Sequence, residues 1–328
     1  MGFRSGFAAL IGRPNVGKST LLNALTGEKL SIVSPKPQTT RNRVVGVISR
    51  PEGQLALVDT PGVHQAKGVL NKFMVDVALG AASECDVVVF MIEAEGRNAA
   101  QQVQIGEGNK LVLDQLKRLG KPTVLVINKI DQVPKPLLLP LMARYHTEYA
   151  FAQIVPVSAL KSEGIDELLK LLIAQLPEGE ALFPPEVFTD QAERALVAEL
   201  VREQVLRHCR QEIPYSTAVV VEHFDESERD VKPPQRKKKK GPPPPQKPGP
   251  KLTGLVRIAA DIYVERESQK AIVIGKRGAM LKQIGTDARA GIERLLGAHV
   301  FLSLQVKVEE RWSERPDALK RLGYHHDQ

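Results

Sequence analysis

The stretch GRPNVGKST, Gly12–Thr20, stands directly after the apolar run Phe7-Ala8-Ala9-Leu10-Ile11 and directly before LLNALTG. It satisfies the pattern G-x-x-x-x-G-K-[ST], and its flanks predict a buried strand before it and a helix after it. Glycine lets such a loop curl so that consecutive backbone N–H groups face phosphates at the helix N-terminus. The stretch therefore predicts a loop that holds a nucleoside triphosphate, with Lys18 on the phosphates and Ser19 on Mg²⁺.

Composition limits the remaining possibilities. The chain has 328 residues with 42% hydrophobic content, which is long enough for two packed cores, and its formal net charge of +8 favours an anionic partner such as nucleic acid. Its two cysteines are far apart and form no C-x-x-C pair, so we expect neither a disulfide scaffold nor a zinc site. No apolar run reaches the ~18 residues that a membrane span needs, so we expect a soluble, cytoplasmic protein.

The first half predicts an α/β domain over residues 1–178. Short, nearly continuous apolar runs alternate with helix-like segments, which is typical of a parallel sheet buried on both faces. RVVGVIS, Arg43–Ser49, is separated from QLALVD by only an RPEG turn, so we expect an antiparallel hairpin at the sheet edge. The sheet should therefore be mixed but mostly parallel.

The second half predicts a smaller α+β domain over residues 191–328, after a linker at 179–190 that contains adjacent prolines and several acids. Its pattern is helix, two strands, two helices and a strand. A Pro- and Lys-rich insertion at 226–251 has too few apolar residues to fold, and we expect it to be disordered. Its cationic run Arg236–Lys240 is either a solvated spacer or a grip on RNA phosphates.

Two further motifs follow predicted strands. In NKID, the Asp131 carboxylate can accept hydrogen bonds from guanine N1–H and the 2-amino group, whereas adenine has neither donor. In DTPG, Asp59 can hold Mg²⁺ through water and the Gly62 N–H can meet a γ-phosphate oxygen. Taken alone, NKID could equally be a helix cap and DTPG an ordinary proline–glycine turn, but their order after the phosphate loop favours guanine-nucleotide binding.

Together with SAL, these motifs match the G1, G3, G4 and G5 motifs of translation-factor-type GTPases. PKPQTTRNR resembles switch I, with Thr40 as the candidate magnesium ligand beside Ser19 and Asp59, although the adjacent Thr39 leaves that placement open. The candidate catalytic residues are Asn15, Lys18, Thr40 and Gly62. The candidate nucleotide-binding residues are Gly12, Arg13, Pro14, Asn15, Val16, Gly17, Lys18, Ser19, Thr20, Asp59, Thr60, Pro61, Gly62, Val63, Asn128, Lys129, Asp131, Ser158, Ala159 and Leu160.

A second glycine loop lies near the C-terminus. VIGKRG resembles the VIGxxG loop of a KH domain, in which glycines let the backbone approach a nucleotide strand while basic side chains face phosphates. The order of the predicted elements around it is that of a type II KH domain. The candidate RNA-binding residues are Ile274, Gly275, Lys276, Arg277, Gly278 and Lys282.

A GTPase domain carrying GRPNVGKSTLLNALTG, QTTRNRVVGV, VDTPGVH, INKID and VSAL, followed by VIGKRG, resembles the Era family over nearly the whole chain. The resemblance implies a Mg²⁺-dependent GTPase of small-subunit assembly, whose KH domain binds the 3′ end of 16S rRNA on the 30S subunit. It also implies peripheral association with the cytoplasmic face of the inner membrane, and a monomer is expected. Because Val63 replaces the water-orienting glutamine of Ras-type enzymes, the resemblance further suggests K⁺ held partly by Asn15.

Two other function classes stay open. One is a GTPase of RNA modification, although no cofactor site or catalytic cysteine is visible in the second half. The other is an RNA-binding module in which GTP is only a structural ligand.

Overall fold

A computed structural model describes residues 2–34, 36, 38–64, 68–94, 105–209, 213–230 and 252–324. The chain divides into two units. The first comprises Met1–Gln191 together with Tyr324–Gln328, and the second is Ala192–Gly323. Every helix in the described ranges is too short or too polar to span a bilayer.

The first unit is built on a six-stranded sheet in the order β2-β3-β1-β4-β5-β6. Only β2 and β3 pair antiparallel, through the tight turn between Arg50 and Gly53, which confirms the predicted edge hairpin in a mostly parallel sheet. The strands are β1 (Arg4–Gly12), β2 (Val44–Arg50), β3 (Gly53–Asp59), β4 (Val87–Glu93), β5 (Thr123–Asn128) and β6 (Gln153–Pro156).

Helices cover both faces of this sheet, so alternate strand residues enter two separate cores. On one face, residues such as Ile11 and Phe90 pack against α2, α3 and α4; on the other, residues such as Leu10 and Val89 pack against α1 and α5. The helices are α1 (Lys18–Thr26), α2 (Val69–Glu84), α3 (Glu107–Leu119), α4 (Leu138–Glu148) and α5 (Ile165–Gln175).

The segment predicted as a linker, 179–190, is hydrogen-bonded to the first unit. Gln54 of β3 accepts the N–H groups of Leu182 and Phe183 at 2.7 and 2.8 Å and donates to the Phe183 carbonyl at 2.8 Å. Val47 donates its N–H to the Phe188 carbonyl at 2.9 Å, and Gly46 forms an antiparallel bridge with Thr189. The segment therefore lies along the outer edge of β2.

The second unit is a three-stranded sheet, in the order β7-β8-β9, covered on one face by helices. Strands β7 and β8 pair antiparallel and β8 and β9 pair parallel, which confirms the predicted KH-type arrangement. The elements are α6 (Glu193–His208), β7 (Ala218–Glu228), β8 (Leu255–Val264), α7 (Glu267–Ile274), α8 (Ala279–Leu296), β9 (His299–Val308) and α9 (Pro316–Arg321).

The predicted insertion at 226–251 begins later than the composition suggests. Strand β7 continues through Glu228, whose partner is Leu255 on β8, so pairing extends the strand over acidic residues. Residues 231–251, which include the cationic run, lie outside the described residues.

Candidate functional site

The predicted phosphate loop connects the end of β1 to the start of α1. Asn15 and Gly17 adopt left-handed backbone conformations, with φ of 65° and 102°, and such turns direct successive N–H groups into an anion-binding concavity. A Cβ at Gly17 would lie 2.3 Å from the Asn128 side-chain nitrogen, so no side chain fits there. The loop can therefore bind phosphate oxygens at the N-terminus of α1.

Lys18 is buried within this loop. Its ammonium donates to the carbonyls of Gly12 and Arg13 at 3.2 and 3.1 Å. Burial lowers the pKa of Lys18 from its ordinary 10.5 to about 8, and the charge of Asp59 opposes part of that shift. A buried cation is costly without an anion close by, so this position favours a phosphate group.

Three predicted metal ligands meet beside the phosphate loop. The hydroxyls of Ser19 and Thr40 lie 2.9 Å apart, and they donate to Asp59 Oδ2 at 2.7 and 3.2 Å. Thr39 is directed elsewhere, because its hydroxyl donates to the Lys36 carbonyl at 2.7 Å.

Asp59 carries the clearest indication of a metal. The residue is fully buried, and burial raises the pKa of its carboxyl, which the charge of Lys18 opposes. Its Oδ1 is buried and accepts no hydrogen bond from the residues that the structure describes. Hydroxyl and carboxylate oxygens suit Mg²⁺, and a metal-bound water could donate to Oδ1, so these residues fit the ion.

The predicted base-reading motifs are tied to one another and to the phosphate loop. Asn128 donates to the Val16 carbonyl at 2.8 Å, while its side-chain oxygen accepts the Ala159 N–H at 2.9 Å. The Ser158 hydroxyl donates to Asp131 Oδ1 at 2.6 Å, and Asp131 is otherwise exposed. The carboxylate is thus held in one orientation with acceptor capacity left over.

Glu93 belongs to this site, although the sequence did not indicate it. Lys129 has a left-handed backbone, with φ of 64°, and its ammonium contacts Glu93 Oε2 at 2.5 Å. Glu93 ends β4 directly opposite Asn128, which places it at the carboxyl edge of the sheet. In the sequence, only its place at the end of a predicted strand could have indicated this residue, because ligands bind at the carboxyl edge of open α/β sheets.

The structure brings part of the predicted nucleotide site to one cavity. Val63 donates its N–H to the Gly12 carbonyl at 3.0 Å, but its side chain packs into the hydrophobic core, and the Leu160 side chain is largely exposed. The predicted residues that line the cavity are Asn15, Gly17, Lys18, Ser19, Thr20, Thr40, Thr60, Gly62 and Lys129.

The second glycine loop forms a tight turn between α7 and α8. Gly275 and Arg277 have positive φ values of 71° and 53°, and the side chains of Lys276 and Arg277 are exposed. Gly278 immediately precedes α8, so two cations stand at the N-terminal end of that helix.

A groove runs from this turn between α8 and β9. Lys282 and Arg289 of α8 line it together with Phe301 of β9, which is 59% exposed. Among the described residues that line the groove, none is acidic. Cationic side chains and an exposed ring suit a nucleotide strand, because phosphates need charge and bases stack on aromatic rings. Phe301 was not predicted, since an aromatic residue in an alternating strand is also typical of a core.

Family models match both units. Residues 7–129 match the model of the 50S ribosome-binding GTPase family, and residues 249–313 match that of the KH domain. The chain is 48% identical to "GTPase Era" of Geotalea uraniireducens (strain Rf4) and 47% identical to that of Geobacter metallireducens, with 98% of both chains covered in each comparison.

Solved structures show the same similarity. A crystal structure of Era in complex with MgGDPNP and nucleotides 1506–1542 of 16S ribosomal RNA has a TM-score of 0.84 to this chain and is 40% identical to it. A variant of Aquifex aeolicus Era bound to GDP and AlF4⁻ gives the same values. Each comparison covers 98% of this chain and 99% of the other.

Proposed function

The chain belongs to the Era family of GTPases, and from this premise we propose that it couples GTP hydrolysis to binding of the 3′ end of 16S rRNA during assembly of the small ribosomal subunit. The similarity runs over nearly the full length of relatives named GTPase Era, which favours this function over RNA modification and over a purely structural use of GTP. The observation that carries the RNA part of the proposal is the cationic groove between α8 and β9.

We infer a role for each group of the nucleotide site. The phosphate loop and Lys18 hold the phosphates, while the Gly62 N–H is available to a γ-phosphate oxygen. Ser19, Thr40 and Asp59 hold Mg²⁺, which when bound supplies positive charge to the phosphates. Thr40 is preferred to Thr39 because only the Thr40 hydroxyl faces Ser19 and Asp59.

We infer from this groove that the second unit binds the RNA. Lys276 and Arg277 face the phosphates at the turn, Ile274, Gly275 and Gly278 shape its backbone, and Lys282 extends the cationic surface along α8. Bases of the same strand can then stack on Phe301, which the groove leaves exposed.

Reversing the charge of the turn tests this assignment. The double variant Lys276→Asp/Arg277→Asp keeps both glycines, and we expect it to bind an RNA with the 3′-terminal 16S sequence at least about tenfold more weakly, because two cations become anions beside phosphates. GTP binding should be unchanged. Fluorescence anisotropy measures the RNA affinity, and circular dichroism checks the fold.

A matched control exists in the first unit. Lys117 and Arg118 form the same exposed Lys-Arg pair on α3, so Lys117→Asp/Arg118→Asp changes the net charge equally. If the control weakens RNA binding as much as the turn variant does, net charge rather than the groove determines affinity. If the turn variant is folded and binds the RNA as tightly as the wild type does, the RNA site lies elsewhere.

A potassium requirement is a further part of the proposal. Val63 provides no polar side chain and is buried, so it cannot orient the attacking water. Asn15 lines the cavity beside the phosphate loop, where K⁺ could add charge stabilisation of the transition state. We expect faster multiple-turnover phosphate release in K⁺ than in Na⁺ buffer at equal ionic strength. Equal rates would exclude this role of K⁺.

Family resemblance alone supports three remaining statements: peripheral association with the cytoplasmic face of the inner membrane, binding to the 30S subunit, and a monomeric state. Co-sedimentation with 30S subunits and with anionic lipid vesicles tests the first two. Light scattering determines the oligomeric state.

A further inference from the structure

Asn23 of α1 fixes the backbone that leads into the switch I segment. Its side-chain nitrogen donates to the Ser31 carbonyl at 2.9 Å. Its side-chain oxygen accepts the N–H groups of Leu30 and Ser31, both at 3.0 Å. One amide therefore binds three backbone groups of two consecutive residues, which holds Ser31 at a fixed position beside α1.

The hydroxyl of Ser31 reaches the carboxylate of the magnesium site. Ser31 is 4% exposed, and its Oγ donates to Asp59 Oδ2 at 2.7 Å, the same distance as that from Ser19. The distance from Thr40 to that oxygen is 3.2 Å. Ser31 lies outside the guanine-nucleotide motifs, so no motif accounts for this third hydroxyl.

We propose that Ser31, held in place by Asn23, is a positioning residue for the magnesium site proposed above, on which this inference rests. Its hydrogen bond holds Oδ2 of Asp59 toward Ser31, which leaves the buried Oδ1 as the open acceptor. Groups that orient a metal-holding residue commonly change metal affinity ten- to a hundredfold when removed.

The role of Ser31 differs from those of Ser19 and Thr40. Both of these hydroxyls are candidate metal ligands, and Thr40 lies further along the switch I segment. Ser31 precedes that part of the segment, and its backbone is anchored to α1, so its bond to Asp59 does not depend on where Thr40 lies. Asp59 therefore keeps its orientation even when Thr40 is displaced.

Release of a fluorescent GDP analogue, mant-GDP, tests the proposal without relying on catalysis. Mg²⁺ slows nucleotide release, so the Mg²⁺ concentration that gives half of the full slowing reports metal affinity. We expect Ser31→Ala to raise that concentration about tenfold. The release rate in excess EDTA should stay at the wild-type value, because the metal-free nucleotide contacts are unchanged.

Two further variants separate positioning from packing. Ser31→Thr keeps a hydroxyl on the same carbon and should restore most of the wild-type midpoint. Asn23→Ala frees the backbone of Ser31 and should raise the midpoint in the same direction as Ser31→Ala. Ser49→Ala is the matched control: it also removes a hydrogen-bonded hydroxyl, but at the opposite end of the β2–β3 hairpin from Asp59.

An unchanged midpoint in Ser31→Ala, with Mg²⁺-dependent release in the wild type, would overturn the role of Ser31 and leave the magnesium site standing. A change in the EDTA release rate as large as the midpoint shift would also overturn it, because Ser31 would then act on nucleotide binding or folding. Release that is independent of Mg²⁺ in the wild type would remove the magnesium site and this inference together.

Discussion

We expect base choice to depend on a single carboxylate, that of Asp131, whose Oδ1 accepts a hydrogen bond from the Ser158 hydroxyl at 2.6 Å. Asp131→Asn exchanges an acceptor for a donor where guanine offers donors, so we expect GTP affinity to fall by about 1 to 3 kcal/mol and preference to move toward xanthosine triphosphate. Competition binding with both nucleotides measures the change. Asp114→Asn, on the exposed face of α3, is the control. An unchanged KM for GTP in the Asp131 variant would mean that another group reads the base.

The thiol of Cys85 provides a test of burial at a single residue. Burial raises the pKa of Cys85 to about 12, and the charges of Asp86 and Glu84 add to that shift. The folded state therefore favours the neutral thiol, and this contribution to stability is lost as pH rises above the unfolded value, about 8.5. We expect iodoacetamide to leave Cys85 unmodified in the native protein at about pH 8 and to modify it once the chain unfolds. Peptide mapping by mass spectrometry distinguishes it from Cys209.

Motif residues could be predicted from the sequence because each motif is a short local pattern with a defined backbone task. The sequence did not predict that three further residues contact the site: Asn23, Ser31 and Glu93. Their partners lie eight, 28 and 36 residues away, and serine, asparagine and glutamate in such positions are usually solvated. Only the fold brings these side chains to the site.

At the level of elements, the turn between α7 and α8 distinguishes two glycines that share a positive φ. A Cβ at Gly275 would lie 2.6 Å from that of Met280, whereas a Cβ at Gly278 meets nothing within 4 Å. We expect Gly278→Ala to cost about 1 kcal/mol of unfolding free energy from backbone strain alone. Gly275→Ala should cost a further 1 kcal/mol or more, roughly, from overpacking and from its ψ of 177°, a backbone region essentially restricted to glycine. Chemical denaturation measures both, and equal losses would contradict the steric argument.

The order and type of the elements followed from periodicity, since apolar runs and amphipathic segments have different repeats. The position at which β7 ends could not be predicted from this periodicity. Glu226–Glu228 is an acidic stretch that is unfavourable in isolated strands, and its pairing with β8 overrides that preference.

At the level of the whole molecule, one buried side chain binds the first part of the segment at 179–190. Gln54 is 1% exposed and binds three backbone groups of Leu182 and Phe183. Gln54→Ala leaves those groups without partners, at a cost of about 1 to 3 kcal/mol, so we expect chymotrypsin to cleave this segment, after Leu182 or Phe188, about ten- to a hundredfold faster. Gln305→Ala, at an exposed position on β9, is the control. Equal cleavage of both variants and the wild type would show that Gln54 does not hold the segment.

The sequence indicated a change of organisation near residue 180, because prolines and acids interrupt the apolar pattern there. It could not indicate that the same residues attach to the first unit. The hydrogen bonds involve backbone groups, which every residue carries, and their partners on β2 and β3 are more than a hundred residues earlier.

The attachment of Phe188 and Thr189 to β2 bears on how the GTPase half can be produced by itself. Strand β2, VVGVISR, lies at the end of the sheet order, so without this segment its outer N–H and C=O groups would be unpaired. An apolar, β-branched strand with an open edge is a template for other chains and promotes aggregation. A recombinant fragment that stops at residue 178 should therefore precipitate more readily than one that continues to Gln191, although both contain every predicted nucleotide-binding residue.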